Sequence, residues 1–141
     1  MKILLTTDGS DFTRRAAQYV AGHLGELASA PEIHVLNVHP PLPYRRAASV
    51  LGKKALESYY AEEAAKALAV ATKVLEKAGM SYEASFRVGE IVEEIGKYVK
   101  KAGIDLIVMG SHGHGALGSL AMGSVTAKVL AALKTPVLIV R

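Results

Sequence analysis

Five short runs rich in apolar residues alternate along the chain with longer segments that have a helical pattern. The first, second and fourth runs are almost continuously apolar, which predicts buried strands. The third alternates apolar and polar positions, so it predicts a strand with one solvated face or one at a sheet edge. The predicted strands cover residues 2–7, 32–38, 81–88, 104–109 and 136–140.

Four segments between these strands predict helices. Ser10 or Asp11 can cap the first helix, because short oxygen-bearing side chains satisfy the free N–H groups of a first turn. Gly79 is expected to end the second helix, as glycines often do. The second, third and fourth helices are predicted at about residues 52–78, 90–102 and 124–133.

This alternation of strands and helices predicts an α/β fold in one domain, residues 1–141. Right-handed crossovers favour an open, parallel, Rossmann-like sheet of five strands in the order 3-2-1-4-5, with helices on both faces. In that order the direction of winding reverses between strands 1 and 4, and ligands bind beyond the carboxyl ends of strands at such a point. The turn at residues 7–9 and the loop that begins at Gly110 are therefore expected to meet at a ligand site.

The composition narrows the classes of protein that fit. The chain has no cysteine, which excludes disulfides and thiolate chemistry. No apolar run approaches the roughly 20 residues of a membrane span, and the apolar start is too short for a signal peptide. We therefore expect a cytoplasmic protein with no membrane partner. The net charge is +4, but no dense run of Lys and Arg occurs and aromatic residues make up only 6%, so we expect no nucleic-acid partner.

The last quarter of the chain favours anions. It has no Asp or Glu after Asp105, while Lys128, Lys134 and Arg141 follow. Residues 110–123 include five glycines, which let backbone N–H groups approach an oxygen-rich ligand. The helix predicted to follow this loop adds the free N–H groups and positive dipole end of its N-terminus. These features predict a phosphate site; the alternative is a glycine-rich connector without a ligand.

Two general nucleotide-binding motifs fit this loop poorly. Gly113-x-Gly115-x-x-Gly118 matches a dinucleotide fingerprint, but no helix follows directly and no acidic residue occurs roughly 20 residues later. Gly118-x-x-x-x-Gly123-Ser124 resembles a Walker A loop, but Ser124 stands where that loop has its lysine.

A third pattern, Gly110-x2-Gly113-x9-Gly123-Ser124, fits without change and resembles the ATP-binding signature of the universal stress protein family. The resemblance extends over most of the chain. It includes the first strand with its acidic turn, the second strand, the turn into the third helix, and the last two strands, at residues 3–10, 35–39, 88–91, 105–110 and 135–140. Thr6 is a departure, because the family often has proline there.

The resemblance implies a regulatory or stress-response protein of the ATP-binding branch, with Mg²⁺ carried by the phosphate oxygens. Asp8 would bind the ribose hydroxyls, Val38 would offer its backbone to adenine, and Gly110 would lie against the ribose. Gly113, Gly123 and Ser124 would surround the phosphates. The expected nucleotide-binding residues are Thr6, Asp8, Val38, Gly110, Ser111, His112, Gly113, Gly123, Ser124 and Val125.

The alternative function is an enzyme of the same fold that slowly hydrolyses ATP or transfers its phosphate. No general base paired with a nucleophile is evident, so no catalytic residue is predicted. His112 and His114 have the spacing of a metal pair, but no further ligand is nearby and no metal site is predicted. A phosphoacceptor receiver domain is rejected, because the third predicted strand ends in Arg87-Val88-Gly89 without the aspartate of that class.

We also expect a homodimer formed through strand 136–140. The predicted strand order leaves strands 3 and 5 at the edges of the sheet. Glu83 and Arg87 protect strand 3, whereas strand 5 has no charge before Arg141. An apolar edge is open to pairing across a twofold axis, and the family resemblance implies the same interface.

Overall fold

A computed structural model describes residues 1–24, 29–42, 52–114 and 122–141. Its elements in chain order are β1 (Lys2–Thr7), α1 (Asp11–Tyr19), a π-helical segment (Val20–Leu24), β2 (Glu32–His39), α2 (Lys53–Lys77), β3 (Tyr82–Val88), α3 (Ile91–Ala102), β4 (Leu106–Gly110), α4 (Ser124–Ala132) and β5 (Val137–Val140).

The five strands form one parallel sheet in the order β3-β2-β1-β4-β5, which confirms the predicted α/β topology. At the centre of the sheet, Leu5 of β1 lies opposite Val35 of β2 and Val108 of β4. The direction of winding reverses between β1 and β4. The carboxyl ends of these two strands therefore border the crevice at which ligands bind in open sheets of this kind.

Helices cover both faces of the sheet because successive strand residues point to opposite sides. Leu5 and Val35 lie under α1 and α2, together with Ala16, Ala71 and Leu75. On the other face α3 and α4 cover a second cluster of buried residues, which comprises Leu4, Leu36, Ile95, Tyr98, Val99, Ile104, Ile107, Met109 and Val129. None of the described helices is both long and apolar enough to cross a membrane.

The helix ends follow local signals in the sequence. Ser10 is the N-cap of α1, and its hydroxyl accepts a hydrogen bond from the Thr13 N–H at 3.4 Å. Helix α3 begins at Ile91, one residue later than predicted, because Glu90 caps it through a bond from the Glu93 N–H at 2.9 Å. Gly79 follows the end of α2 at a φ of +68°, in the left-handed region that favours glycine.

The start of β4 and the burial of β3 differ from the prediction in ways that the structure explains. β4 begins at Leu106 rather than at residue 104. Asp105 precedes it, and its carboxylate accepts a hydrogen bond from the Lys2 N–H at 2.7 Å. β3 is an edge strand as predicted, but its apolar face is incompletely covered: Phe86 and Val88 are 37% and 39% exposed.

Candidate functional site

The turn after β1 fixes the carboxylate of Asp8 at the carboxyl end of the sheet. Asp8 Oδ1 accepts hydrogen bonds from the Ser10 N–H at 2.9 Å and from the Thr13 hydroxyl at 2.8 Å. Gly9 has a φ of +82°, and a Cβ there would lie 3.1 Å from Ala67 Cα. The first turn of α1 and the close approach of α2 therefore hold Asp8 in place.

Asp8 remains ionised over the physiological range. Partial burial by itself raises the pKa of this carboxyl group, but hydrogen bonds from Ser10 and Thr13, with the charge of His114, outweigh burial and lower the pKa below its usual value. The second carboxylate oxygen, Oδ2, lies beside Gly113, where a Cβ would collide with it. Gly113 thus leaves room for the carboxylate at the entrance of the loop.

Gly110 ends β4 where Phe12 of α1 packs closely against the strand. A Cβ on Gly110 would lie 2.6 Å from Phe12 Cβ and 2.9 Å from the Phe12 carbonyl carbon. The Gly110 carbonyl also accepts a hydrogen bond from the buried Thr126 hydroxyl at 3.0 Å. A residue with a side chain would therefore separate β4 from α1 and disturb the start of the loop.

Ser111 joins the two ends of the glycine-rich loop. Its N–H donates to the Val140 carbonyl at 2.8 Å, and its carbonyl accepts from the Gly123 N–H at 2.9 Å. Gly123 is extended, with φ −58° and ψ 145°, so it is not a left-handed glycine. A Cβ on Gly123 would instead lie 3.1 Å from both the Ser111 carbonyl oxygen and His112 Cα. Glycine is required at position 123 because the backbone of Ser111 and His112 comes too close to leave room for a side chain.

Among the described residues, no side chain caps the N-terminus of α4. Gly123 occupies the N-cap position, where it offers no side-chain oxygen to the first turn. Ser124 and Val125 begin the helix and, with Thr126, line the adjacent cavity. The uncapped first turn therefore presents a positive dipole end beside that cavity, which favours an anionic ligand.

The two histidines of the loop make different contacts. His114 Nε2 lies 2.8 Å from the Asp8 carbonyl oxygen. Because a carbonyl can only accept, Nε2 carries the proton and donates it, so this side chain ties the loop to the end of β1. His112 Nδ1 lies 3.0 Å from the Ser111 hydroxyl, and its ring packs against Phe12 at 5.0 Å between centroids. The described residues contain no group of three or more side chains able to hold a metal ion.

These elements surround a cavity of about 410 Å³ between the ends of β1 and β4. Every predicted nucleotide-binding residue except Ser111 lines it; Ser111 is buried and contacts the loop backbone. Loop residues 115–121, which include Gly115 and Gly118, lie outside the described residues. The lining residues that were not predicted are Thr7, Thr13, Leu36, Ile91, Ile95, Met109, His114 and Thr126.

The lining residues that were not predicted differ in how far the sequence could have indicated them. Ile91 and Ile95 stand four residues apart on the inward face of α3, a pattern that indicates core packing and says nothing about a ligand. Thr13 lies in the first turn of α1, five residues after Asp8, and its closeness along the chain to the acidic turn is a signal that could have identified it. His114 was recognised as a loop histidine, but its bond to Asp8 depends on the fold.

The cavity combines three chemical surroundings. Its floor is apolar, with Leu36, Val38, Ile91, Ile95 and Met109. The Asp8 carboxylate lines the cavity and offers a hydrogen-bond acceptor. The first turn of α4, which begins directly after Gly123, adds backbone N–H donors to the lining. The arrangement fits a ligand with a flat apolar part, hydroxyl groups and an anionic part.

Known proteins match the chain along most of its length. The model of the universal stress protein family matches residues 1–141. Universal stress protein Slr1230 of Synechocystis is 36% identical over 99% of this chain and 42% of its own length. This chain therefore spans less than half of that relative. A universal stress protein of Thermus aquaticus is 33% identical over 99% of this chain and 97% of its own length.

Solved structures share the fold as well. The structure of MJ0577, a universal stress protein of Methanocaldococcus jannaschii, has a TM-score of 0.78 at 32% identity and covers 99% of this chain and 94% of its own. A universal stress protein in complex with cAMP has a TM-score of 0.67 at 26% identity and covers 100% of this chain and 97% of its own. With the family model matched over residues 1–141 and relatives at 36% and 33% identity, this chain belongs to the universal stress protein family.

Proposed function

We propose that this protein is a regulatory protein that binds ATP in the cavity between β1 and β4. The observation that carries the proposal is the position of the Asp8 carboxylate, which lies beside Gly113 and lines the same cavity as the apolar floor and the first turn of α4. The apolar floor, the Asp8 carboxylate and the first turn of α4 match the base, the ribose and the phosphate chain of a nucleotide, respectively. The cAMP complex of a 26% identical family member supports an adenine nucleotide as the ligand.

The adenine ring would lie on the apolar floor, against Leu36 and Ile95, with its edge toward Val38. Backbone groups alternate sides along a strand, and the Glu32 N–H points toward β1 because it bonds to the Met1 carbonyl. Residues an even number of positions apart on a strand direct their backbone groups to the same side, so the Val38 carbonyl, like the Glu32 N–H, points to the side of β1. β1 ends at Thr7, opposite Asn37, so this carbonyl faces the crevice and can accept a hydrogen bond from the adenine amino group.

The phosphates would lie between Gly113 and the first turn of α4. Gly123 brings the loop backbone close to the helix start, and Ser124 adds a hydroxyl to the N–H groups there. Mg²⁺ would be carried by the phosphate oxygens, an arrangement common for this ion. The proposed binding residues are those predicted from the sequence, with Ser111 supporting the loop from beneath and Thr6, His112 and Val125 completing the walls.

The test is calorimetric titration of ATP into the wild-type protein and the variant Asp8→Asn. Loss of the charged acceptor for the ribose hydroxyls should weaken ATP binding by at least tenfold, or about 1.4 kcal/mol. Asp11→Asn is the matched control, because Asp11 is an exposed carboxylate nearby that pairs with Arg14 at 3.0 Å and does not line the cavity. The control should bind ATP as the wild type does.

Free pyrophosphate separates the ribose role of Asp8 from a general effect on the loop. Asp8→Asn should bind pyrophosphate at least as well as the wild type, because the variant removes a negative charge and no phosphate contact. If the folded Asp8→Asn protein keeps wild-type affinity for ATP, the ribose does not lie against Asp8 and the proposed placement of the nucleotide is wrong.

We further propose a homodimer formed through the free edge of β5. Val137, Leu138, Ile139 and Val140 are all half-buried in a single chain. β5 pairs with β4 on one side, and no other described strand lies along its second side. An apolar edge of this kind favours pairing with the same strand of a second copy.

A further inference from the structure

A second depression lies on the outer surface between α1 and α2, away from the nucleotide cavity. Its volume is about 970 Å³, and none of its described lining residues also lines that cavity. Four cationic side chains line it: Arg14 from α1, and Lys66, Lys73 and Lys77 from α2. None of its described lining residues is acidic. We call this depression the α1/α2 groove.

The positive charge of the groove is only partly neutralised. Arg14 pairs with Asp11 at 3.0 Å, and Lys66 pairs with Glu63 at 2.7 Å. Lys73 and Lys77 form no ion pair or hydrogen bond with the described part of the chain. Two unpaired ammonium groups one turn apart on the same helix create a local positive field, which attracts carboxylates or other anions.

The floor of the groove is apolar and recessed. Val70 and Val74 are half-buried between the exposed charged side chains, and Ala21 and Ala69 add small side chains. At 1.5 Å per residue, the stretch of α2 from residue 66 to residue 77 is about 16 Å long. That length fits roughly three turns of a helix laid along the groove.

The shape and lining of the groove distinguish between classes of anionic partner. Single-stranded nucleic acid binds by stacking bases on aromatic side chains, and the described lining contains none. A membrane surface needs apolar side chains that project outward, whereas Val70 and Val74 lie below the rim of charges. A helical segment with carboxylates flanking small apolar residues matches both the rim and the floor.

We propose that the α1/α2 groove docks an acidic amphipathic segment of a partner protein. The carboxylates of that segment pair with Lys73 and Lys77, and its apolar stripe covers Val70 and Val74. A protein with this groove on one surface and a nucleotide cavity on another has separate sites for its ligand and its partner.

The test measures fluorescence anisotropy of a labelled helical peptide built from Glu, Ala and Leu in an amphipathic pattern. The double variant Lys73→Gln and Lys77→Gln should weaken binding of this peptide by at least tenfold. The matched control is Lys100→Gln with Lys101→Gln, which removes the same charge from exposed positions in the last turn of α3. The control should change the affinity by less than about twofold, or about 0.4 kcal/mol.

Three results would overturn the proposal. They are no peptide binding to the wild-type protein, an equal loss of binding in both double variants, and tighter binding of a single-stranded oligonucleotide or of phosphatidylserine vesicles through Lys73 and Lys77. Both double variants should bind ATP as the wild type does, because the groove and the cavity share no described lining residue. If the wild-type protein does not bind ATP, the proposed function is wrong, but the peptide-binding test of the groove is unaffected.

Discussion

At the scale of single residues, Asp8 owes its position to its neighbours in sequence. Ser10 and Thr13 follow within two turns, and both bond to the same carboxylate oxygen. The sequence was therefore sufficient to predict an acidic turn at the end of β1. It could not predict that Gly113 would lie against the other oxygen, because this contact joins residues that are 105 positions apart and depends on the packing of β4 beside β1.

The contact between Gly113 and Asp8 gives a prediction about substitution. In Gly113→Ala the new Cβ would collide with Asp8 Oδ2, so the carboxylate must turn away from the ribose position. We expect ATP affinity, measured by calorimetry, to fall by at least tenfold. Gly22→Ala is the control, because a Cβ there meets no described atom within 4 Å. Equal affinity in the two variants would show that the position of Asp8 does not matter for ATP.

The lowered pKa of Asp8 gives a prediction about stability at acid pH. A carboxyl group whose pKa is lower in the folded than in the unfolded state stabilises the fold at pH values above its ordinary pKa, about 3.9. That contribution disappears as the pH falls through the lower, folded-state pKa. Asp8 remains accessible to solvent in spite of its partial desolvation, so solvent screening keeps the effect small.

The measurement is urea unfolding of the wild type and Asp8→Asn over a series of pH values. The difference in unfolding free energy should be constant near neutral pH and should shrink as the pH falls below about 3.9. A difference that grows on acidification would contradict the assignment of a lowered pKa to Asp8.

At the scale of elements, most of the helices and strands could be predicted because their signals are local. Helix α4 was expected at residues 124–133 and spans Ser124–Ala132. The predicted start of β4 was wrong. The apolar run from Ile104 has the pattern of a strand, but the strand begins at Leu106, and the carboxylate of Asp105 accepts a hydrogen bond from the Lys2 N–H. A strand end that depends on a contact with a residue distant in the sequence cannot be predicted from the pattern of apolar residues.

The N-terminus of α1 gives a prediction at this scale. Ser10→Ala removes the hydroxyl that caps the helix at the Thr13 N–H. Loss of such a cap typically costs about 1 kcal/mol of stability, measurable by urea unfolding. Ser58→Ala, at an exposed position inside α2, is the control and should not destabilise the protein. A Ser10→Ala protein as stable as the wild type would show that the cap contributes nothing.

At the scale of the whole molecule, the strand order followed from general rules of connection rather than from any one residue. Parallel strands joined by right-handed crossovers allow few arrangements, and the observed order is the one that places β1 beside β4. That order also determines which strand edges are free. β3 carries Glu83 and Arg87 on its exposed surface, whereas β5 carries only half-buried aliphatic side chains.

The direction of the backbone groups of β5 allows a sharp test of the proposed dimer. The carbonyl of Pro136 accepts a hydrogen bond from Ile107 of β4, and that of Val140 accepts one from Ser111, which directly follows β4. Backbone groups alternate along a strand, so the N–H of Ile139 points to the opposite, free edge. Ile139→Pro removes that N–H without removing a bond to β4. Leu138 and Val140 are poor targets for this purpose, because they pack against the core beneath α1.

We expect the wild type to be a dimer, and Ile139→Pro a monomer, by light scattering at micromolar concentration. Ile139→Ala is the control: it shortens the side chain but keeps the N–H, so it should remain a dimer if backbone pairing forms the interface. Circular dichroism would establish that the proline variant is folded. A wild-type monomer, or a folded Ile139→Pro dimer as tight as the wild type, would rule out an interface built on β5, because strand pairing across a twofold axis requires the outward N–H groups of both copies.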